Sequence, residues 1–192
     1  TTVNTAVDAL SHAVEGMLSI RASLVSDALA KESIRYFVKC APLMYEAIAK
    51  DDASIIDASA RDDLIQCAML AGMVIAQTGT TAVHAMGYSL TYFKDIDHGR
   101  ANGLILTEYM EFVEKENPQV IADILSAMDM TKLSEFKSLL KQLLGASEEI
   151  TTEDVAKYSA KAVQTGNIKV NCKVKPSEDD VNSIFMEAFA LS

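Results

Sequence analysis

"VHAMGYSLTYFKDIDHGRANG", residues 83–103, contains His84 and His98, two of the three histidines in the chain. The third, His12, lies four residues after Asp8 in a second stretch, "VDALSHAVEG", residues 7–16. Imidazole and carboxylate groups are common ligands of divalent transition metals. If these four side chains converge in the fold, they supply a nitrogen-rich ligand set around which the chain would be organised.

Apolar residues recur at helical spacing along most of the chain and predict an all-α fold. In residues 4–18 this spacing places Asp8 and His12 one turn apart on the same stripe, so both side chains can reach one point. A further helix follows Gly79 and leads to an irregular link at residues 93–99. The other predicted helices cover residues 24–50, 60–77, 99–117, 118–128, 132–144, 152–164 and 179–191. We expect a single all-helical domain over residues 1–192, a multi-helix bundle of about eight helices.

Several local features add detail to this bundle. Pro42 predicts a kink or a break in the helix over residues 24–50. Residues 60–77 are apolar on nearly all sides, which predicts a helix buried in the middle of the bundle, with Gly72 allowing close packing. Gly99 is expected to free the backbone beside His98.

The end of the chain carries its own signals. The segments "TTED" and "SEDD" predict hydroxyl N-caps followed by an acid three residues later. Gly145 and Gly166 are expected to end the helices before them. Residues 167–174 alternate like a strand without a partner strand and predict an extended connector.

Composition excludes some classes of function. The net charge of −10 argues against a nucleic-acid partner, because phosphate binding needs a basic face. No segment reaches about 18 consecutive apolar residues, so we expect no membrane-spanning helix. Three cysteines without a C-x-x-C pair fit reduced thiols in a cytoplasmic protein. The opening "TTVNTAVDAL" has no initiator methionine and looks like part of a longer polypeptide.

From the residues alone, a metal site and three unrelated histidines both remain open. "VDALSHAVEG", "ARDDLIQCAMLAGMVIAQTGTTAVHAMGYSLT" and "DIDHGRANGLILTEYMEF" together resemble the iron-containing (group III) alcohol dehydrogenases in their helical C-terminal domain, a dehydroquinate synthase-like α-domain. This resemblance implies that Asp8, His12, His84 and His98 bind Fe²⁺ or Zn²⁺. It also implies oxidation of a small alcohol, or reduction of an aldehyde, with NAD(P).

The sequence departs from the pattern of a complete family member. Its eight glycines never fall in a G-x-G, so the nucleotide-binding N-terminal domain of the family is expected to be absent and the chain to be inactive alone. Tyr88 stands where many members have a histidine near the nicotinamide, which makes it a candidate catalytic residue. The D-x-x-x-H pair of Asp8 and His12 favours the iron-type branch over the glycerol dehydrogenase branch.

Two alternative hypotheses remain at this point. In the first, the chain would be a non-catalytic helical binding module that forms a homodimer through an exposed apolar face. It would otherwise be part of a zinc enzyme similar to glycerol dehydrogenase.

Overall fold

Helices account for nearly all of the regular structure in the computed structural model, which describes residues 1–146 and 148–191. The all-α prediction is confirmed, with ten α-helices in the described residues and one short 3-10 turn, η1. Their bounds are α1 Thr2–Leu18, α2 Leu24–Lys50, η1 Ala53–Ile55, α3 Ala58–Thr78, α4 Ala82–Lys94, α5 His98–Glu114, α6 Pro118–Ala127, α7 Leu133–Leu144, α8 Thr152–Ala162, α9 Gly166–Asn171 and α10 Glu178–Ala188.

Helix α1 occupies the centre of the bundle. It packs against α2, α3 and α5 and also touches α4, α6 and α7. Most of its apolar residues are buried, including Val7, Leu10 and Val14, and so are several polar ones, including Glu15. Side chains on several faces of α1 therefore point into the interior, and the polar ones need partners there.

The prediction that residues 60–77 form the central buried helix is wrong. Helix α3 packs on α1 and α2 through a narrow stripe of small residues, while Ile65 is 61% and Met73 50% exposed. Gly72 faces open space, since a Cβ there would meet nothing within 4 Å. An apolar sequence pattern does not distinguish a helix buried on all sides from one with an uncovered apolar face.

Helix α2 continues without a break through Pro42, which is exposed to solvent. The predicted capping boxes are present, because Thr151 and Ser177 accept hydrogen bonds from the amides of Asp154 and Asp180. Gly145, with a positive φ of 72°, follows the last residue of α7 as expected. These local sequence signals fix helix ends without help from the rest of the fold.

Residues 166–171 form a helix rather than the predicted extended connector. The side chain of Thr165 caps this short helix, so Gly166 begins α9 instead of ending α8. Cys172, directly after this helix, has extended backbone and pairs with Ser19 in an isolated antiparallel bridge. The alternation of polar and apolar residues misled the prediction, because Val170 is exposed rather than buried against a partner strand.

Gly99 has a different role from the predicted one. It lies in the first turn of α5, and a Cβ there would collide with the backbone carbonyl oxygen of Asn4 in α1. Glycine is therefore needed for the close approach of two helices, not for unusual backbone freedom. This approach brings His98 beside the face of α1 that carries Asp8.

All three cysteines are free and buried. Burial raises the pKa of the Cys67 thiol to about 11, despite its contact with Ser33. Among the described residues, no single helix has the length and apolarity to span a membrane, although α3 and α4, bent by 111° at their junction, pass together by length and composition.

We predict that Gly99→Ala destabilises the protein by about 1–3 kcal/mol, because the new methyl group forces α5 away from α1. Gly72→Ala is the matched control, since it adds the same methyl group in open space within a helix. It should stabilise the fold by up to about 1 kcal/mol. Chemical denaturation measures both effects. Equal effects of the two substitutions would contradict the close approach at Gly99.

Candidate metal centre

Three of the predicted ligands meet at one point between α1, α4 and α5. Oδ1 of Asp8 lies 3.7 Å from Nε2 of His84 and 3.8 Å from Nε2 of His98. One ligand atom from each of these residues lies within 4.8 Å of the other two. His84 and His98 follow Asp8 in the chain by 76 and 90 positions. The fold nevertheless brings their two imidazole nitrogens and the carboxylate oxygen of Asp8 to a common centre.

His12, the fourth predicted ligand, lies at the edge of this cluster. Its Nε2 is 3.8 Å from the second carboxylate oxygen of Asp8, and its ring stacks on that of His84 with centroids 4.7 Å apart. Burial lowers the pKa of His12 below its ordinary value, which favours the neutral imidazole that binds metals. The structure thus brings three predicted ligands together and leaves His12 next to them, beside both Asp8 and His84.

Glu15 contacts the imidazole of His84 from the side opposite the ligand cluster. Its Oε2 contacts Nδ1 of His84, and its Oε1 accepts hydrogen bonds from the amide and the hydroxyl of Thr81 at 2.8 and 2.7 Å. The amide of Val83 donates to the same oxygen at 3.0 Å. A fully buried carboxylate is tolerated here because Thr81 and Val83 donate to one oxygen and the imidazole of His84 lies against the other.

The charges of Glu15 and His84 stabilise each other. Burial alone would raise the pKa of Glu15, but His84 and the hydrogen bonds from Thr81 hold it below its ordinary value. Burial also disfavours a charged His84, yet the carboxylates of Glu15 and Asp8 raise the pKa of this imidazole above its usual range. Glu15 therefore carries its negative charge inside the core.

Asn102 completes the cluster from α5. Its Nδ2 donates to Oδ1 of Asp8 at 2.9 Å and lies 3.2 and 3.3 Å from the Nε2 atoms of His84 and His98. Its Oδ1 is buried and has no hydrogen-bond partner among the described residues. A Cβ at Gly87 would collide with this oxygen, so the amide is held closely against α4. The carboxylate of Asp8 and the imidazoles of His84 and His98 form a ligand set that fits Fe²⁺ or Zn²⁺.

Tyr88 lies at the outer side of the cluster. Its ring stacks on His98, with centroids 5.7 Å apart and planes 7° from parallel, and the side chain is 47% exposed. Partial burial and the nearby carboxylate of Glu15 raise the pKa of its hydroxyl. The phenol therefore stays protonated at neutral pH and can both donate and accept a hydrogen bond.

Sequence reasoning missed Glu15 and Asn102. Glu15 follows Asp8 by seven residues, two helical turns, and is an acid set between apolar neighbours in α1. Asn102 follows His98 by four residues, so it lies one turn further along the same face of α5. Helical spacing places both residues on helix faces that carry predicted ligands, but it does not show that Glu15 is buried.

The family model described as "Fe-containing alcohol dehydrogenase family, C-terminal" matches residues 2–189. The chain belongs to this family. The 1,3-propanediol dehydrogenase of Klebsiella pneumoniae is 29% identical over 98% of the chain and 51% of its own length. Long-chain-alcohol dehydrogenase 1 of Geobacillus thermodenitrificans is 35% identical over 66% of the chain and 30% of its own length.

Solved structures agree with this assignment. An iron-containing alcohol dehydrogenase from Thermotoga maritima superposes with a TM-score of 0.82 and 34% identity, over 99% of this chain and 49% of that one. A 1,3-propanediol oxidoreductase superposes with a TM-score of 0.79 and 26% identity. The chain spans about half the length, or less, of the curated relatives described above. It corresponds to the C-terminal half of the iron-containing alcohol dehydrogenases.

The Glu15–His84 pair predicts how stability of the metal-free protein depends on pH. Because the pKa of Glu15 is below its ordinary 4.5, its contribution is present above that pH and is lost as pH falls through the lowered value. Because the pKa of His84 is above its ordinary 6.5, its contribution is full below pH 6.5 and is lost as pH rises through the raised value.

Thermal unfolding of wild type and Glu15→Gln, both treated with chelator, measures this effect. The two melting temperatures should differ most between about pH 4.5 and 6.5 and should converge in acid, where the protonated carboxyl carries no more charge than the amide. A difference that stays constant down to about pH 3 would show that the charge of Glu15 does not contribute.

Proposed function

We propose that this chain is the metal-binding, substrate-side part of an NAD(P)-dependent alcohol dehydrogenase that interconverts a small alcohol and its aldehyde. Asp8, His12, His84 and His98 would hold Fe²⁺ or Zn²⁺. The observation that carries the proposal is the convergence of Asp8, His84 and His98 between three helices, in a chain that belongs to the family. We also propose a cytoplasmic location, in which the three free, buried thiols would remain reduced.

The charges of the ligand set suit this chemistry. Asp8 supplies one negative charge, and the imidazoles bind as neutral groups, so the four ligands do not cancel the charge of a divalent ion. When bound, such an ion would act as a Lewis acid on the substrate oxygen while a nicotinamide exchanges hydride with the carbon. The amide of Asn102 keeps Oδ1 of Asp8 facing the two histidines.

Tyr88 is the candidate for a polar contact with the substrate. Its half-exposed side chain stacks on His98 and borders the cluster on the solvent side. A protonated phenol there would hydrogen-bond to the oxygen of an alcohol or aldehyde. A phenol does not exchange a proton near neutral pH as readily as a histidine, so we propose an orienting role for Tyr88.

The nucleotide would bind to a second domain. The relatives are about twice as long as this chain or longer, and α3 exposes an apolar stripe that includes Ile65, Met69 and Met73. An apolar face of this kind is typical of an interface. We propose that a nucleotide-binding domain covers it in the complete enzyme and brings the nicotinamide toward Tyr88.

Metal content of ligand variants tests the proposed site. Protein purified anaerobically should contain about one Fe or Zn per chain by elemental mass spectrometry. His84→Ala and His98→Ala should lose it, because each removes one member of the convergent set. Asp95→Asn is the matched control, since it alters an exposed carboxylate near His98 at a left-handed position that asparagine also accepts.

His12→Ala separates the two ligand sets. Loss of metal at the level of His84→Ala would support four ligands and the iron-type branch. Full retention would favour the three-ligand set of Asp8, His84 and His98 and a zinc enzyme similar to glycerol dehydrogenase. Wild-type protein that contains no metal, and takes up neither Fe²⁺ nor Zn²⁺, would contradict the proposed function.

We predict that the 192-residue chain alone neither binds NAD(P)H nor oxidises alcohols. Joining it to the nucleotide-binding half of the Klebsiella 1,3-propanediol dehydrogenase should restore NAD(P)H binding and measurable turnover of small alcohols. Tyr88→Phe in this chimera should keep the metal and the ring stacking but lower turnover, because only the hydroxyl is lost. A chimera that binds both cofactors and converts no alcohol or aldehyde would favour the non-catalytic module.

A further inference from the structure

We infer that Glu15 is a positioning residue that holds His84 in the tautomer with the proton on Nδ1, so that Nε2 is free to bind the metal. This inference rests on the proposed metal site and deepens it. It assigns a role to a buried carboxylate that contacts one ligand, His84, on the nitrogen that does not face Asp8 and His98.

The contact between Glu15 and His84 determines which imidazole nitrogen carries the proton. A carboxylate that is ionised can only accept hydrogen bonds. The contact between Oε2 of Glu15 and Nδ1 of His84 therefore requires a proton on Nδ1. In a neutral imidazole the second nitrogen, Nε2, then carries the lone pair. That nitrogen is the one that faces Asp8 and His98.

Buried hydrogen bonds hold the side chain of Glu15 in place. Its side chain is fully buried, and its Oε1 accepts hydrogen bonds from Thr81, just before α4, and from Val83 in the first turn of α4. The amide of His84 itself lies 3.3 Å from the same oxygen. With one oxygen fixed by the start of α4, the other oxygen stays against the imidazole of the same helix.

An amide in place of the Glu15 carboxylate would favour the other tautomer of His84. In Glu15→Gln the carbonyl oxygen would keep the donors of Thr81 and Val83, which leaves the NH₂ group facing Nδ1 of His84. An NH₂ group donates, so Nδ1 would have to accept and the proton would move to Nε2. The variant has nearly the same shape, but it presents a protonated nitrogen to the metal.

Long-range ¹H–¹⁵N NMR of the imidazoles in chelator-treated protein tests the tautomer directly. At alkaline pH, where the rings are neutral, His84 of the wild type should carry its proton on Nδ1. Glu15→Gln should move it to Nε2. Thr81→Val is the matched control, because it removes one hydroxyl donor to Glu15 and leaves the contact with His84 in place. Its tautomer should be that of the wild type.

Zn²⁺ affinity, measured by chelator competition, gives the second readout. Glu15→Gln should bind Zn²⁺ at least about tenfold more weakly than the wild type, whereas Thr81→Val should differ by less. The shift of the proton separates this effect from unfolding, and the wild-type tautomer is informative even if Glu15→Gln does not fold. A proton on Nε2 in the wild type would overturn the inference.

Failure of the inference and failure of the proposed function look different. If Glu15→Gln keeps wild-type affinity while His84→Ala has lost Zn²⁺, the positioning role is wrong and the metal site stands. If the wild type binds no metal at all, the proposed function is wrong, whatever the tautomer of His84.

Discussion

The candidate metal centre depends on the contacts that the buried carboxylate of Glu15 makes between α1 and α4. Glu15 lies in the middle of the bundle and would carry a large desolvation cost if it were unpaired. Its donors come from the residues that begin α4 and from the imidazole of His84. Removing the carboxylate would leave those donors without an acceptor, so the register between α1 and α4 is coupled to the orientation of His84.

Helix geometry then determines which side chains converge. Asp8, His12 and Glu15 occupy successive turns of α1, so one helix supplies two of the four candidate ligands and the residue that contacts His84. Helix α5 adds His98 and Asn102 from one face, and Gly99 lets its first turn approach α1 closely. A site built on three packed helices is held more firmly than one built on loops, because each side chain is restrained by its neighbours.

The sequence predicts the parts of this structure that local signals specify. Helical spacing and capping residues placed most helices, and the i, i+4 spacing of Asp8 and His12 placed both on one stripe. The uncovered face of α3 was not predictable, because its apolar residues look the same whether the bundle or another domain covers them. Glu15 was passed over because an acid in a helix is usually solvated, and only tertiary contacts show that this one is not.

Anomalous diffraction from crystals of the chain grown anaerobically with its metal would show whether an ion lies between Asp8, His84 and His98. Data collected on both sides of the iron and zinc absorption edges locate the ion and identify it. The account predicts one anomalous peak at about 2.0–2.2 Å from the carboxylate of Asp8 and from Nε2 of His84 and His98, with Glu15 still against Nδ1 of His84. A metal-loaded crystal with no peak between these residues, or with its peak elsewhere, would contradict it.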